Sequence, residues 1–399
     1  MRRLLSALAP AIAAALPHHR SASRYASTLP ASFSGFVYEE RFTTSYADQM
    51  NWFGRSSAAT YQQRYLINDA SWKSPLHPIF FYCGNEGDIE LFTNNTGYLW
   101  SLAAEMGALV VFAEHRFYGK SLPYGAASYT PQHLGALSIE HALLDYVQLV
   151  ASLKANLTAP HAPVIAWGGS YGGMLAAWAR IKYPATFAGA YASSAPILQI
   201  PGLMDPTAYN RVIRDTFATP ANPAAPLALY LGFQALLNAS ATAPGRAAAT
   251  AALGLCGAPF TDVGGVLGWL SSAVGFVAMA DYPYPTSFLG PLPANPAAYI
   301  GALLPADPAA APPQALLAGL AATARVFYNF SGQAGSCFNL SSQDPPGLEG
   351  DGWDVQCCRE VAQPIGSELR VLPAPPHHPR APIPVRFNPT TFYRPWLAK

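Results

Sequence analysis

Apolar runs too short for a membrane span recur along the first half of the chain, and stretches with helical spacing separate them. "HPIFFYC", "ALVVFAEH", "APVIAW" and "GAYASSAP" each read as a short strand with both faces buried. "TGYLWSLAAEMG", "SIEHALLDYVQLVASLKANL" and "GMLAAWARIKY" lie between them. In the second of these, Ile139, Leu143, Tyr146, Val147 and Val150 share one helical face. Buried strands alternating with amphipathic helices predict an α/β fold with a parallel sheet covered on both faces. Ahead of this rhythm, "GFVYEERF" and "TYQQRYLI" alternate with period two and predict an antiparallel pair between residues 36 and 67.

After Pro196 the rhythm is lost. Residues 197–350 are rich in Ala, Pro and Leu, with helical pieces such as "PLALYLGFQALLNAS", "GGVLGWLSSAVGFVAMA" and "PPQALLAGLAATARVFYNF". They read as a helical cap inserted after the core at 36–196. "DGWDVQCCREVAQ" reads as the start of a return to the sheet, at 351–364. Residues 365–399 are proline-rich, and proline lacks the donor a central strand needs.

Composition narrows the class. Of 399 residues 51% are apolar and 11% charged, with a formal net charge of +1. No basic stripe points to nucleic acid, and no run reaches the roughly 18 apolar residues of a spanning helix. The start differs: "MRR", then "LLSALAPAIAAAL", then small residues, describes a secretory signal peptide and its flank at 1–28. Arg2, Arg3, Arg20 and Arg24 would also suit an organellar transit peptide. Asn94, Asn156, Asn238, Asn329 and Asn339 each open an N-x-S/T triplet. Five such triplets favour the secretory route, to a lysosome or vacuole or to the exterior. The five cysteines, Cys83, Cys256, Cys337, Cys357 and Cys358, are an odd set without zinc-like spacing, which predicts structural bridges and at least one thiol outside them.

Candidate chemistry sits in "GGSYGGM". Gly168, Ser170 and Gly172 fit G-x-S-x-G, between a strand and a helix as a nucleophile elbow requires. The serine is expected on a strained left-handed turn, with tiny residues two positions either side because strand and helix nearly touch there. The Tyr171 amide would then face a developing oxyanion at the positive end of a helix. A second donor is expected from "CGNEGD", at the amides of Gly84 and Asn85. The bland alternative is a glycine-rich turn that closes a βα unit or holds a phosphate. A dinucleotide fingerprint, however, belongs in the first βα unit.

"FFYCGNEGDIELFTNNTGYLWSLAAEMGALVVFAEHRFYGKSLPYG", "GGSYGGMLAAWARIKYP", "MADYPYPTSFLGPLPANP", "VFYNFSGQ" and "GWDVQCCRE" together resemble the prolyl carboxypeptidase and dipeptidyl-peptidase II family of serine peptidases, from about residue 36 to about 364. "DYPYPTSFLGPLPANP" and "EHRFYGKSLP" look nearer to the dipeptidyl-peptidase II branch. The resemblance implies an α/β-hydrolase fold with a helical cap, and a nucleophile at Ser170. It also implies cleavage next to proline without a cofactor or metal. Expected partners are peptides with proline near a terminus, and a second copy of the chain. Glu86 or Asp88 would meet a substrate ammonium group, or else fix the loop that carries them. Glu114, His115 and Arg116 read as a structural network, because in this fold the catalytic histidine follows the serine. Cys83, Cys357 and "MNWFG" depart from the family pattern.

The larger departure is at the end. The family pattern continues past "GWDVQCCRE" into an N-x-x-L-D-P-W-like loop with the acid and a G-A-H-H-like loop with the histidine, and neither pattern occurs here. Only Glu360 and Glu368 follow Asp354 as acids, and His377 and His378 stand in "PAPPHHPRAP". The expectation is a C-terminally truncated hydrolase domain with a shifted frame from about residue 365, and at most residual activity. Three other readings stay open: a Pro-X carboxypeptidase, a non-catalytic secreted module, and an ester or lipid hydrolase.

Overall fold

The computed structural model describes residues 37–50, 59–333, 335–340, 350–361 and 363. The signal-like segment 1–28, most of "MNWFG", and the tail with Glu368, His377 and His378 lie outside the described residues.

The described residues divide into two compact units, one holding those up to Leu198 together with those of Gly347–Ala362, the other those of Gln199–Pro346. The first is built on six strands: β1 (Glu39–Tyr46), β2 (Thr60–Asn68), β3 (Ile79–Cys83), β4 (Leu109–Ala113), β5 (Val164–Gly169) and β6 (Gly189–Ser193). Their order is β1-β2-β4-β3-β5-β6. β1 pairs antiparallel with β2, and β2 antiparallel with β4. From β4 onward the strands run parallel. This order, with a nucleophile elbow after β5, is that of an α/β-hydrolase.

Every residue of β3 and β4 is buried, as their unbroken apolar runs require. The faces alternate with the pleat. Ile79, Phe81, Val111 and Ala166 join a core with Leu143, Tyr146 and Leu149 of α3 (Ile139–Asn156) and Met174, Leu175 and Ala179 of α4 (Ser170–Lys182). On the other face, Phe112 stacks with Tyr82 at 4.7 Å and with Trp100 at 5.5 Å. Trp100 lies on α2 (Tyr98–Met106), which follows α1 (Ile89–Asn94). Helices therefore cover both faces. β6 is largely exposed, with Tyr191 stacked on Trp167 at 4.3 Å.

The second unit holds α5 (Ala208–Phe217), α6 (Ala225–Ser240), α7 (Ala243–Leu253), α8 (Val263–Met279), α9 (Pro296–Gly301) and α10 (Pro313–Asn329). Its core includes Leu270, Phe276, Leu320 and Phe327, and Phe276 stacks on Phe327 at 5.5 Å. A disulfide joins Cys256 to Cys337, whereas Cys83, Cys357 and Cys358 are free thiols.

The segment read as a return to the core is helical. "DGWDVQCCREVAQ" does not supply a strand; it enters α11 (Gly350–Arg359) of the sheet unit. Trp353 and Gln356, three apart, lie on one helical face and both reach Tyr171.

Candidate active site

The β5 strand ends at Gly169, and α4 begins at Ser170 without a loop between them. Turning that sharply puts Ser170 at φ +53°, in the left-handed region that a Cβ disfavours. A Cβ on Gly168 would lie 2.1 Å from the Gly172 carbonyl oxygen. One on Gly172 would lie 2.4 Å from Asn85 Oδ1 and 2.5 Å from the Cys83 carbonyl oxygen. Both positions must be glycine for strand, helix and loop to meet. Ser170 is exposed. Tyr171, in the first helical turn, has an amide with no acceptor inside the helix.

The ring of Tyr171 is also engaged, which the sequence reading missed. It is buried, and its hydroxyl lies 3.0 Å from His115 Nε2. Gln356 Nε2 donates to the same hydroxyl at 2.6 Å, and the Tyr118 hydroxyl donates to Gln356 Oε1. Trp353 packs on the Tyr171 ring at 5.1 Å. His115 Nδ1 lies 2.6 Å from the Arg116 carbonyl oxygen, so Nδ1 carries the proton and Nε2 accepts from Tyr171. Burial lowers the His115 pKa to about 4, so its imidazole is neutral at neutral pH.

The loop after β3 carries the other candidates, and the structure reassigns one of them. The Gly84 N–H donates to the Ala113 carbonyl at 2.9 Å, so it extends the sheet and is not left for an oxyanion. The Asn85 side chain spans to the elbow: Nδ2 donates to the Gly169 carbonyl at 2.7 Å, while Oδ1 accepts from the Tyr82 hydroxyl at 3.0 Å. Asp88 makes the contacts of a loop-fixing residue. It caps α1 by accepting from the Glu90 N–H at 2.9 Å, and it accepts from Arg64 Nη1 at 3.0 Å. Glu86 remains: it is buried, and its Oε2 has no partner among the described residues. Burial raises its pKa to about 7.

Two buried arginines brace this end of the sheet. Arg64 pairs with Asp88, Glu90 and Glu114, and with Glu40 at 2.5 Å. Arg116 grips Asp145 through Nε at 2.7 Å and Nη2 at 3.0 Å, and Tyr61 donates to the same carboxylate at 2.8 Å. The "EHR" triplet is thus a set of bracing contacts.

No described histidine reaches Ser170. His141 lies between Ser138 and Asp48, and His133 stacks on Tyr124 at 3.8 Å. His77 and His161 precede β3 and β5, so they stand at the end of the parallel strands opposite Ser170. Glu360, the one described acid after Asp354, is committed elsewhere: it accepts from the Ile139 N–H at 3.0 Å, at the start of α3. Among the described residues no cluster of three or more His, Cys, Asp or Glu could hold a metal ion. Of the sequon asparagines, Asn156, Asn238 and Asn339 are exposed, Asn94 is half-buried, and Asn329 donates to the Gly335 carbonyl.

Sequence comparison gives this geometry its context. The family model of serine carboxypeptidase S28 matches residues 48–371. Human lysosomal Pro-X carboxypeptidase is 40% identical over 369 residues, which is 91% of this chain and 73% of the relative. Human thymus-specific serine protease is 39% identical over 163 residues, 40% of this chain and 30% of the relative. A solved thermostable carboxylesterase cloned from a metagenomic library is 16% identical over 55% of this chain and 60% of its own, with a TM-score of 0.28. That likeness adds nothing to the strand order. The extent and identity of the peptidase matches, around an elbow built as described, establish that the chain belongs to the serine carboxypeptidase S28 family of serine peptidases.

Proposed function

We propose that this chain is an exopeptidase that cleaves next to proline, with Ser170 as its nucleophile and the amides of Tyr171 and Asn85 as the oxyanion donors. The observation that carries the reading is the exposed, left-handed Ser170 between Gly168 and Gly172. In the acylation step Ser170 Oγ bonds to the carbonyl carbon, its proton passes to the departing amine, and the peptide C–N bond breaks. The relative that covers 91% of the chain supports removal of a C-terminal residue after proline. It also supports a lysosomal destination, to which the exposed sequons Asn156, Asn238 and Asn339 are suited as glycan acceptors.

A second reading, release of N-terminal dipeptides, is favoured by Glu86. A buried carboxylate with an unpartnered oxygen on the oxyanion loop suits a substrate ammonium group. Blocking the substrate amine separates the two, since it abolishes only the dipeptidyl activity.

Competence is the point to test first, because no described base meets Ser170. Whole chain is incubated with a fluorophosphonate probe beside Ser170→Ala and His377→Ala/His378→Ala. Labelling that Ser170→Ala removes supports the nucleophile, and loss in the double histidine variant would place the base in the tail. An unlabelled wild-type chain overturns the catalytic reading in favour of a non-catalytic module.

A further inference from the structure

The nucleophile elbow is tied to a helix that lies almost two hundred residues further along the chain. Tyr171 follows Ser170, and its amide is the donor assigned above to the oxyanion. Its phenol is fixed by a chain of buried hydrogen bonds in which each donor has one acceptor: Tyr118 O–H to Gln356 Oε1, Gln356 Nε2–H to the Tyr171 oxygen, Tyr171 O–H to His115 Nε2, and His115 Nδ1–H to the Arg116 carbonyl. All four side chains are buried, so none exchanges these bonds for water. Gln356 is the one member supplied by α11, and the only group that both donates to the Tyr171 oxygen and accepts from Tyr118. α11 is seated closely here: a Cβ on Gly352 would lie 2.9 Å from the Tyr118 ring, and Trp353 covers the Tyr171 ring.

We propose that Gln356 is a positioning residue for the oxyanion amide, acting through the Tyr171 phenol to hold the Tyr171 N–H in line beside Ser170. The physical reason is leverage. Tyr171 sits in the first turn of α4, where the backbone leaves Ser170 in a strained conformation and the Tyr171 N–H has no partner in the helix ladder to fix its direction. A ring anchored at its far end fixes the Cα that bears the amide. The inference rests on the reading of Ser170 as nucleophile, so its test has one arm that does not need activity.

The whole chain is labelled with [15N]tyrosine, and the Tyr171 amide resonance is assigned by its loss in Tyr171→Phe. Gln356→Met keeps the volume of the side chain and removes both hydrogen bonds. The expected result is a displaced Tyr171 amide resonance in Gln356→Met, with the amides of tyrosines other than Tyr118 in place, and Tyr118→Phe moving it less. In parallel, the fluorophosphonate labelling rate of Ser170 falls about tenfold in Gln356→Met, short of the 10²–10³ for deleting an oxyanion donor outright. In the Tyr171→Phe background, Gln356→Met has no further effect, which a merely structural role would not produce. A Tyr171 amide that stays in place in a folded Gln356→Met chain overturns the proposal. If the wild-type chain is not labelled at all, the nucleophile reading fails, and the amide arm still decides whether Gln356 positions Tyr171.

Discussion

Asn85 Nδ2 donates to the Gly169 carbonyl at 2.7 Å, so the loop after β3 holds the backbone one residue before the nucleophile. The same side chain accepts from Tyr82, and Asn85 is only 2% exposed. Asn85→Ala therefore strands a carbonyl and a buried phenol. The expected loss is about 3 kcal/mol, from roughly 1–3 kcal/mol for each unsatisfied group. Chemical denaturation checks this, and a midpoint unchanged from wild type would show that water replaces Asn85 at no cost.

Ser170 keeps its hydroxyl at a conformational cost. At φ +53° an L-residue is strained by roughly 1–2 kcal/mol, against roughly 0.5–1 kcal/mol for the greater flexibility of unfolded glycine. Ser170→Gly should therefore be more stable than wild type by about 0.5–1 kcal/mol, whereas Ser170→Ala retains the Cβ and should match wild type. Comparing the two melting curves isolates the backbone term from loss of the hydroxyl. Equal stability of the Gly and Ala variants would mean that the elbow stores no more strain than the flexibility cost of glycine, roughly 0.5–1 kcal/mol.

Arg116 is buried and divides its donors among Asp145 and the carbonyls of Tyr46, Ala47 and Ala136. Arg116→Met leaves Asp145 buried without its cation. About 3–5 kcal/mol is expected to be lost. Adding Asp145→Leu should restore part of that stability, because it removes the orphaned charge. No recovery in the double variant would place the value of Arg116 in its carbonyl contacts.

Much of this was legible from local pattern. "HPIFFYC" and "ALVVFAEH" could only be doubly buried strands, and Gly168, Ser170 and Gly172 stand at the junction of β5 and α4 that the spacing demands. What escaped depended on distance along the chain. Tyr171 was read as an amide alone because its phenol meets Gln356, 185 positions away. α11 is placed with the core by its sequence but not declared a helix, because "GWDVQCC" has too few apolar residues to show a period. Gly84 was read as a free donor because loop sequence does not tell that its N–H meets the Ala113 carbonyl. For Asp88 the sequence offers both substrate and loop, and its contacts with the Glu90 N–H and Arg64 fit the loop.

Cys256 and Cys337 are 81 residues apart and join the segment before α8 to the one after α10. Closing a loop of that length removes enough unfolded-state freedom to stabilise by about 4–5 kcal/mol. Cys256→Ser/Cys337→Ser should therefore open the unit at Gln199–Pro346 to protease at concentrations that leave wild type intact. Cys358→Ser is the control, since Cys358 is a free and exposed thiol. Equal cleavage of wild type and the double variant would show that the bridge does not limit opening of that unit.

Glu86 makes the stability of the chain depend on pH in a definite direction. Burial raises its pKa from 4.5 to about 7, and no described donor meets its Oε2. The folded chain thus keeps a proton on Glu86 between about pH 4.5 and 7, whereas the unfolded chain has released it. When the native state binds more protons than the unfolded state, the free energy of unfolding falls as pH rises. The stabilisation is complete below the unfolded pKa and is lost as pH climbs through the folded one, to a total on the order of 3 kcal/mol. His115 works in the opposite sense at lower pH, since its pKa is lowered to about 4, so the quantity to read is the difference between wild type and Glu86→Gln. The amide does not titrate, and the variant should become the more stable of the two toward pH 8 while the gap narrows toward pH 5. Stability curves that stay parallel across that range would show that Glu86 is already ionised in the folded chain, with a partner that holds its charge.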